Sequence, residues 1–177
     1  MSGSSQRPGM VVAIGSRGWF RRKWSMTTDE LCTLFDQMED WDERYDHLIE
    51  MGQDLPELPA ALKRDEFKVQ GCQSQVWLLA KPLRSEPPRV ELTADSDSMI
   101  VRGIIAILLL CYSGRTPEEI LAFDIRGLLQ RLGLSKHLSP SRSNGLHSMV
   151  KRIRQVAERL LAEQAAPGGT APEGSVA

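Results

Sequence analysis

Between Thr28 and Met51 the apolar residues fall at Leu31, Leu34, Phe35, Met38, Trp41, Tyr45, Leu48 and Ile49. Intervals of three and four line these up along one helical face. Thr28, followed by Asp29 and Glu30, is expected to cap the start, Asp40 to restart a second helix, and Gly52 to close it. A linker through Pro56 and Pro59 follows, with room for one short helical turn. From Val76 the period changes to two. Val76, Leu78 and Ala80 alternate with Gln75, Trp77 and Leu79, then Val90, Leu92 and Ala94 alternate with Arg89, Glu91 and Thr93. Two alternating runs separated by the turn-forming stretch Pro82 to Pro88 predict an antiparallel hairpin, and residues 68–70 are expected to add a further short strand.

Met99 to Tyr112 is apolar on all sides apart from Arg102 and Gly103, which is the pattern of a helix buried in a core. The polar run Asp95-Ser96-Asp97-Ser98 before it is suited to a helix cap. Thr116-Pro117-Glu118-Glu119 combines a cap, proline at the first helical position and early acids, so short helices are expected from there to about Leu132. Ser139-Pro140 opens a longer helix whose buried face is Leu146, Met149, Val150, Ile153, Val156, Ala157 and Leu160. Lys151, Arg152, Arg154 and Arg159 lie mostly on its other side. The fold class that follows is α+β, a small antiparallel sheet packed on helices.

With 177 residues and 41% hydrophobic content, one compact domain with a real core is expected, placed at residues 27–163. Residues 1–26 contain Arg7, Arg17, Arg21, Arg22 and Lys23 and no acid, and are read as a disordered basic extension, with an organelle transit peptide as the alternative. Residues 164–177 are read as a solvated tail. A formal net charge of -1 gives no reason to expect nucleic acid or an anionic membrane surface as a partner, and the apolar run at Met99 is too short to span a bilayer. Three widely spaced cysteines make neither a disulfide framework nor the close pairs of a zinc site, which points to a reducing, cytoplasmic setting.

Among the three, Cys72 is the candidate for chemistry. It sits in Val69-Gln70-Gly71-Cys72-Gln73-Ser74-Gln75-Val76-Trp77, just ahead of the strand pattern. Gly71 permits a tight turn that holds the thiol at a loop tip, with the hydrogen-bonding side chains of Gln73 and Ser74 beside it. Two readings stand side by side: a reactive thiol presented to a partner, or a buried cysteine acting as a small hydrophobe. Cys32 and Cys111 fall in helical patterns and are expected to be inert. His47, His137 and His147 are scattered, and no phosphate loop or dinucleotide fingerprint is present.

Gly71-Cys72-Gln73-Ser74-Gln75-Val76-Trp77 resembles the cysteine loop of the SufE cysteine-desulfuration proteins. Trp41-Asp42-Glu43-Arg44-Tyr45, Asp95-Ser96-Asp97-Ser98-Met99-Ile100-Val101-Arg102-Gly103, Gly114-Arg115-Thr116-Pro117 and Ser141-Arg142-Ser143-Asn144-Gly145-Leu146 resemble further blocks of that family in the same order. The resemblance runs from about residue 30 to about residue 160. It implies a SufE/IscU-like fold and a sulfur carrier that is not an enzyme in its own right. A pyridoxal-phosphate cysteine desulfurase (SufS-like) would pass persulfide sulfur to Cys72 and be stimulated by doing so. The sulfur would then move to an iron–sulfur scaffold complex (SufBCD-like), with no cofactor or metal bound by the carrier. It also implies that Cys72 is tucked into an apolar cavity in the free protein and that its loop swings out for the partner. Asp97 and Arg142 match polar positions around the loop or at the partner contact. As local features they are equally well a helix cap and a salt bridge at a helix start. The alternative function on the same fold is an iron–sulfur cluster scaffold, which needs several converging ligands.

Overall fold

The computed structural model describes residues 26–166. The expectations for the basic extension, and for the tail beyond residue 166, lie outside the described residues.

Helix α1 (Thr28–Asp36) starts one residue earlier than its spacing suggests, because Thr27 and not Thr28 is the cap. Thr27 has Glu30 three residues on, so each side chain bonds the other's backbone amide, at 3.2 and 2.6 Å. Three residues after Thr28 stands Leu31, which cannot reciprocate. Helix α2 (Trp41–Asp54) is capped by Asp40, which accepts from the Glu43 amide at 3.0 Å. It does not close at Gly52. The helix runs through that glycine, whose bare Cα is used for packing: a Cβ there would lie 2.9 Å from the Gly103 nitrogen and would also meet the Met99 carbonyl. A Cβ on Gly103 would in turn strike the backbone of Leu48. The two helices therefore touch backbone to backbone.

Strands β1 (Val76–Leu83) and β2 (Arg89–Ser96) pair antiparallel from Val76↔Ser96 to Leu83↔Arg89. The further strand expected at 68–70 contracts to one bridge, Lys68 to Trp77, and β2 is edged by a bridge from Val90 to Arg115. Val76, Leu78, Val90, Leu92 and Ala94 are buried, as alternation predicts. Trp77, on the opposite phase, is buried too, since the linker folds over it and Lys63 Nζ stands 5.5 Å above its ring. That linker holds two 3-10 turns, Ala60–Leu62 and Asp65–Phe67.

Helix α3 (Met99–Tyr112) is the centre of the core, with most of its circumference covered. β2 lies against it, as do α2 and the long last helix. Each of its buried Ile and Leu side chains contributes about 1.5–3 kcal/mol relative to exposure. Three short helices follow: α4 (Pro117–Ala122), capped by Thr116 and Glu119 as the sequence predicts; α5 (Ile125–Arg131), capped by Asp124; and α6 (Leu134–His137). Helix α7 (Pro140–Ala165), capped by Ser139, packs on α4, α3 and β1. The result is a mixed α+β fold, a two-stranded antiparallel sheet packed against helices. Among the described residues no helix is long and apolar enough to cross a membrane.

The polar run before α3 does not form a helix cap. Ser98 occupies the cap position without a side-chain bond. Asp95 is fully buried and accepts from the amides of Leu58 (2.9 Å) and Ser96 (2.8 Å), from Lys63 Nζ (3.1 Å) and from Arg102 Nη1. Arg102 also donates to the carbonyls of Gly52 (2.9 Å) and Leu55 at the end of α2. One buried acid thus ties the linker, β2, α2 and α3 together.

Candidate functional site

Residues 70–75 form a loop with a closed neck. At its root the Val69 amide donates to the Val76 carbonyl at 2.8 Å. On the return side, Asp97 Oδ1 accepts from the Gln75 amide at 3.0 Å, and the Asp97 amide donates to the Gln75 carbonyl at 3.3 Å. Asp97 is therefore a strut under the loop, not a cap on α3. At the tip, Gly71 has φ +87°, a left-handed conformation that side chains resist, and a Cβ there would also stand 2.8 Å from Ser148 Oγ. The glycine is required by its backbone angle, and a side chain there would also have to displace the Ser148 hydroxyl.

Cys72 follows that turn and is half-buried, with its thiol directed at α7. Sγ lies 3.6 Å from the Gly145 carbonyl, to which it donates. Such close approach is possible because position 145 has no side chain: a Cβ would come within 3.3 Å of the sulfur. Beside it, Ser141 Oγ donates to Gln73 Oε1 at 2.6 Å. Together these elements enclose a cavity of about 320 Å³. Val76, Val101, Ile104 and Met149 supply its apolar wall; Cys72, Gln73, Ser74, Ser141, Arg142 and Gly145 supply the rest. Burial pushes the Cys72 thiol above its ordinary range, since the desolvated thiolate is disfavoured. Tucked against α7, the sulfur is a protonated thiol at neutral pH.

The structure brings Cys72, Gln73, Ser74 and Arg142 onto one cavity, with Gly71 and Asp97 shaping the loop that carries the first three. The Arg142 side chain is exposed and has no acidic partner among the described residues, so the salt bridge considered for it is not made. Ser141, Gly145 and Met149 escape a local reading of the sequence, because they join the site from α7, some seventy residues away. Gly145 did leave a trace: a glycine inside a helix costs about 1 kcal/mol relative to alanine, and usually marks a close approach.

The other two cysteines stand apart from the cavity. Cys32 on α1 and Cys111 on α3 are 2% and 0% exposed, and burial drives the Cys111 thiol up to about 12. The histidines are also elsewhere. His137 stacks on Trp41 at 4.5 Å between ring centres, His47 faces Glu50 at 3.4 Å, and His147 Nδ1 is 2.7 Å from the Ser143 carbonyl. None lines the cavity.

A loop cysteine built in this way can be compared with known proteins over most of the chain. The family model described as the SufE Fe-S metabolism associated domain matches residues 29–157. The chain belongs to the SufE family. A SufE-like protein of Rhizobium meliloti (strain 1021) is 41% identical over 134 residues, covering 75% of this chain and 96% of its own. A SufE-like protein of Rhizobium etli is 44% identical over 138 residues, covering 77% and 93%. A solution structure of a hypothetical protein from Thermus thermophilus superposes with a TM-score of 0.61 at 20% identity, covering 77% of this chain and 99% of that one, which speaks to the fold alone. Membership in the SufE family carries a general link to iron–sulfur metabolism and sulfur chemistry.

Proposed function

We propose that this SufE-family protein is a sulfur carrier. Cys72 accepts the outer sulfur of a persulfide held by a pyridoxal-phosphate cysteine desulfurase and delivers it to an iron–sulfur scaffold complex. The observation that carries this reading is the contrast among the three cysteines. One sits on a glycine-hinged loop at a cavity mouth, and two are sealed in the core.

The chemistry is thiol exchange. The Cys72 thiol loses its proton and the thiolate attacks the outer sulfur of the donor persulfide. A new sulfur–sulfur bond forms on Cys72, the donor's sulfur–sulfur bond breaks, and the donor thiolate leaves to take up a proton. One sulfur changes hands with no net oxidation or reduction. Such exchange needs a thiolate, in-line access and shelter from stray reductants. Burial against α7 disfavours the first in the free protein, and the cavity offers the third once sulfur is loaded. Removing sulfur from the desulfurase frees it for another turnover, so the carrier also stimulates its partner. A cluster scaffold would need Cys32 or Cys111 to converge on Cys72, and both lie buried on α1 and α3 instead.

The test is to incubate the purified chain with a cysteine desulfurase and sulfur-labelled cysteine. One added sulfur on Cys72, together with faster sulfide release in the presence of a reductant, is the expected result. Label on Cys32 or Cys111, or neither effect, would overturn the carrier reading.

A further inference from the structure

Charge is spread unevenly along this chain, although the total is only -1. Residues 27–66 hold thirteen acidic side chains against three basic ones, and α2 is the densest part. Asp42, Asp46 and Glu50 follow one another at four-residue steps, so they form a stripe along the helix, and all three are exposed. Like charges at that spacing repel, and acids near the C-terminal end of a helix also oppose its dipole. The helix itself does little to offset this. Its last turn has no basic residue, and Arg44 is turned away to the Leu132 carbonyl at 3.3 Å. Among the described residues no ion pair reaches Asp42 or Asp46, while Glu50 pairs with His47 at 3.4 Å. Beside the stripe, Tyr45 and Ile49 are only half-buried, so apolar surface borders the acids.

We infer that this outer face of α2 is the docking site for residues 17–24 of the same chain. That stretch carries four cations, Arg17, Arg21, Arg22 and Lys23, and three aromatic residues, Trp19, Phe20 and Trp24, with no acid. The carboxylate stripe suits the first set, and the flank of Tyr45 and Ile49 suits the second. The reach is sufficient. Arg17 stands nine residues before Met26, a span of up to about 30 Å, and the fourteen residues of α2 are about 21 Å long. Met26 itself packs against the core, so the segment is tethered to the domain it covers. Each exposed ion pair contributes little alone, but the tether keeps the local concentration high and lets a few of them act together. No residue of α2 lines the Cys72 cavity, so this docking stands or falls independently of the carrier reading.

Chymotrypsin cuts after Trp19, Phe20 and Trp24, so its rate at these bonds in the full chain reports how often residues 17–24 are uncovered. A free peptide of the same sequence corrects for the protease's own response to salt. At low salt the full chain should be cut slowly. In about 1 M salt, where the screening length falls to about 3 Å, cutting should be roughly tenfold faster. Asp46→Lys with Glu50→Lys should bring a similar acceleration at low salt. Adding that pair to a chain carrying Arg21→Glu and Arg22→Glu should slow cutting again, with the cleaved sequence identical in the two chains compared. The milder pair Asp46→Asn with Glu50→Gln, checked by thermal melting, should accelerate cutting in the same direction without disturbing α2. Equal rates in the wild-type and lysine chains at low salt, or no rescue by the paired reversal, overturn the assignment. So does protection that grows with protein concentration, which gives the face to a second copy. Protection that appears only with phosphatidylglycerol vesicles overturns it too, giving residues 17–24 to an anionic membrane surface.

Discussion

Asp95 and Asp97 stand two residues apart at the end of the same hairpin, yet they hold opposite kinds of structure. Asp95 is fully buried and takes four donors from the linker, its own strand and α3. Asp97 is exposed and ties its side chain to a single amide, that of Gln75. The first knot locks the scaffold, because a buried carboxylate that lost its partners would be costly. The second braces the neck of an exposed loop through one solvated hydrogen bond, so little is lost when that bond breaks. Dense polar bonding under the core and sparse polar bonding under the cysteine give a rigid platform carrying a part that can move.

The sharpest way to break this contrast is to remove the two acids in turn. Asp95→Ala strands Arg102 and Lys63 without their carboxylate and is expected to cost about 3–5 kcal/mol, a fall in melting temperature of roughly 10 °C or more. A loss below about 1 kcal/mol would mean that the clamp does not hold the scaffold together. Gly103→Ala attacks the same rigid side from the α2–α3 contact and should cost about 1–3 kcal/mol in a denaturant melt, since a helix backbone has nowhere to retreat. Asp97→Ala should cost less than about 1 kcal/mol overall. Its effect should appear as faster hydrogen exchange at the Gln75 amide, while the amides of α3 stay protected; an equal loss of protection in both would erase the distinction.

The smallest expected effect is one of pH. The Cys72 thiol in the closed loop titrates above its ordinary 9.0, because burial disfavours the thiolate. A group whose folded value is raised lends its stabilisation in full below the unfolded value and loses it as pH climbs through the folded one. The stabilisation that the protonated thiol lends to the closed loop is thus present in full below pH 9 and is lost above it. The alkylation rate of Cys72, corrected for reagent hydrolysis, should keep rising beyond the point at which a free thiol levels off. A plateau at the pH of a free thiol would show that the sulfur is already solvated.

Much of the scaffold could be read in advance because its signals are local. Asp40, Thr116 with Pro117 and Glu119, and Ser139 with Pro140 announce helix starts within four residues of themselves. The alternation around Val76 and Val90 announces the hairpin. The misses have a common cause. Gly52 looks like a helix end until α3 is known to press on it, Trp77 looks outward until the linker covers it, and Asp97 looks like a cap until Gln75 is found beside it. Each takes its role from a residue distant in the chain. At the site, the spelling around Cys72 singled out the thiol, but the wall it faces belongs to α7. The partner of Gln73 is 68 positions further on, beyond the reach of any local pattern.

The burial of Cys32 and Cys111 has a consequence under oxidising conditions. Two thiols locked in the interior leave each folded molecule a single handle for covalent coupling to its neighbours. Air or peroxide can join such molecules in pairs and no further, so long polymers linked through sulfur would have to begin with molecules that had already come unfolded.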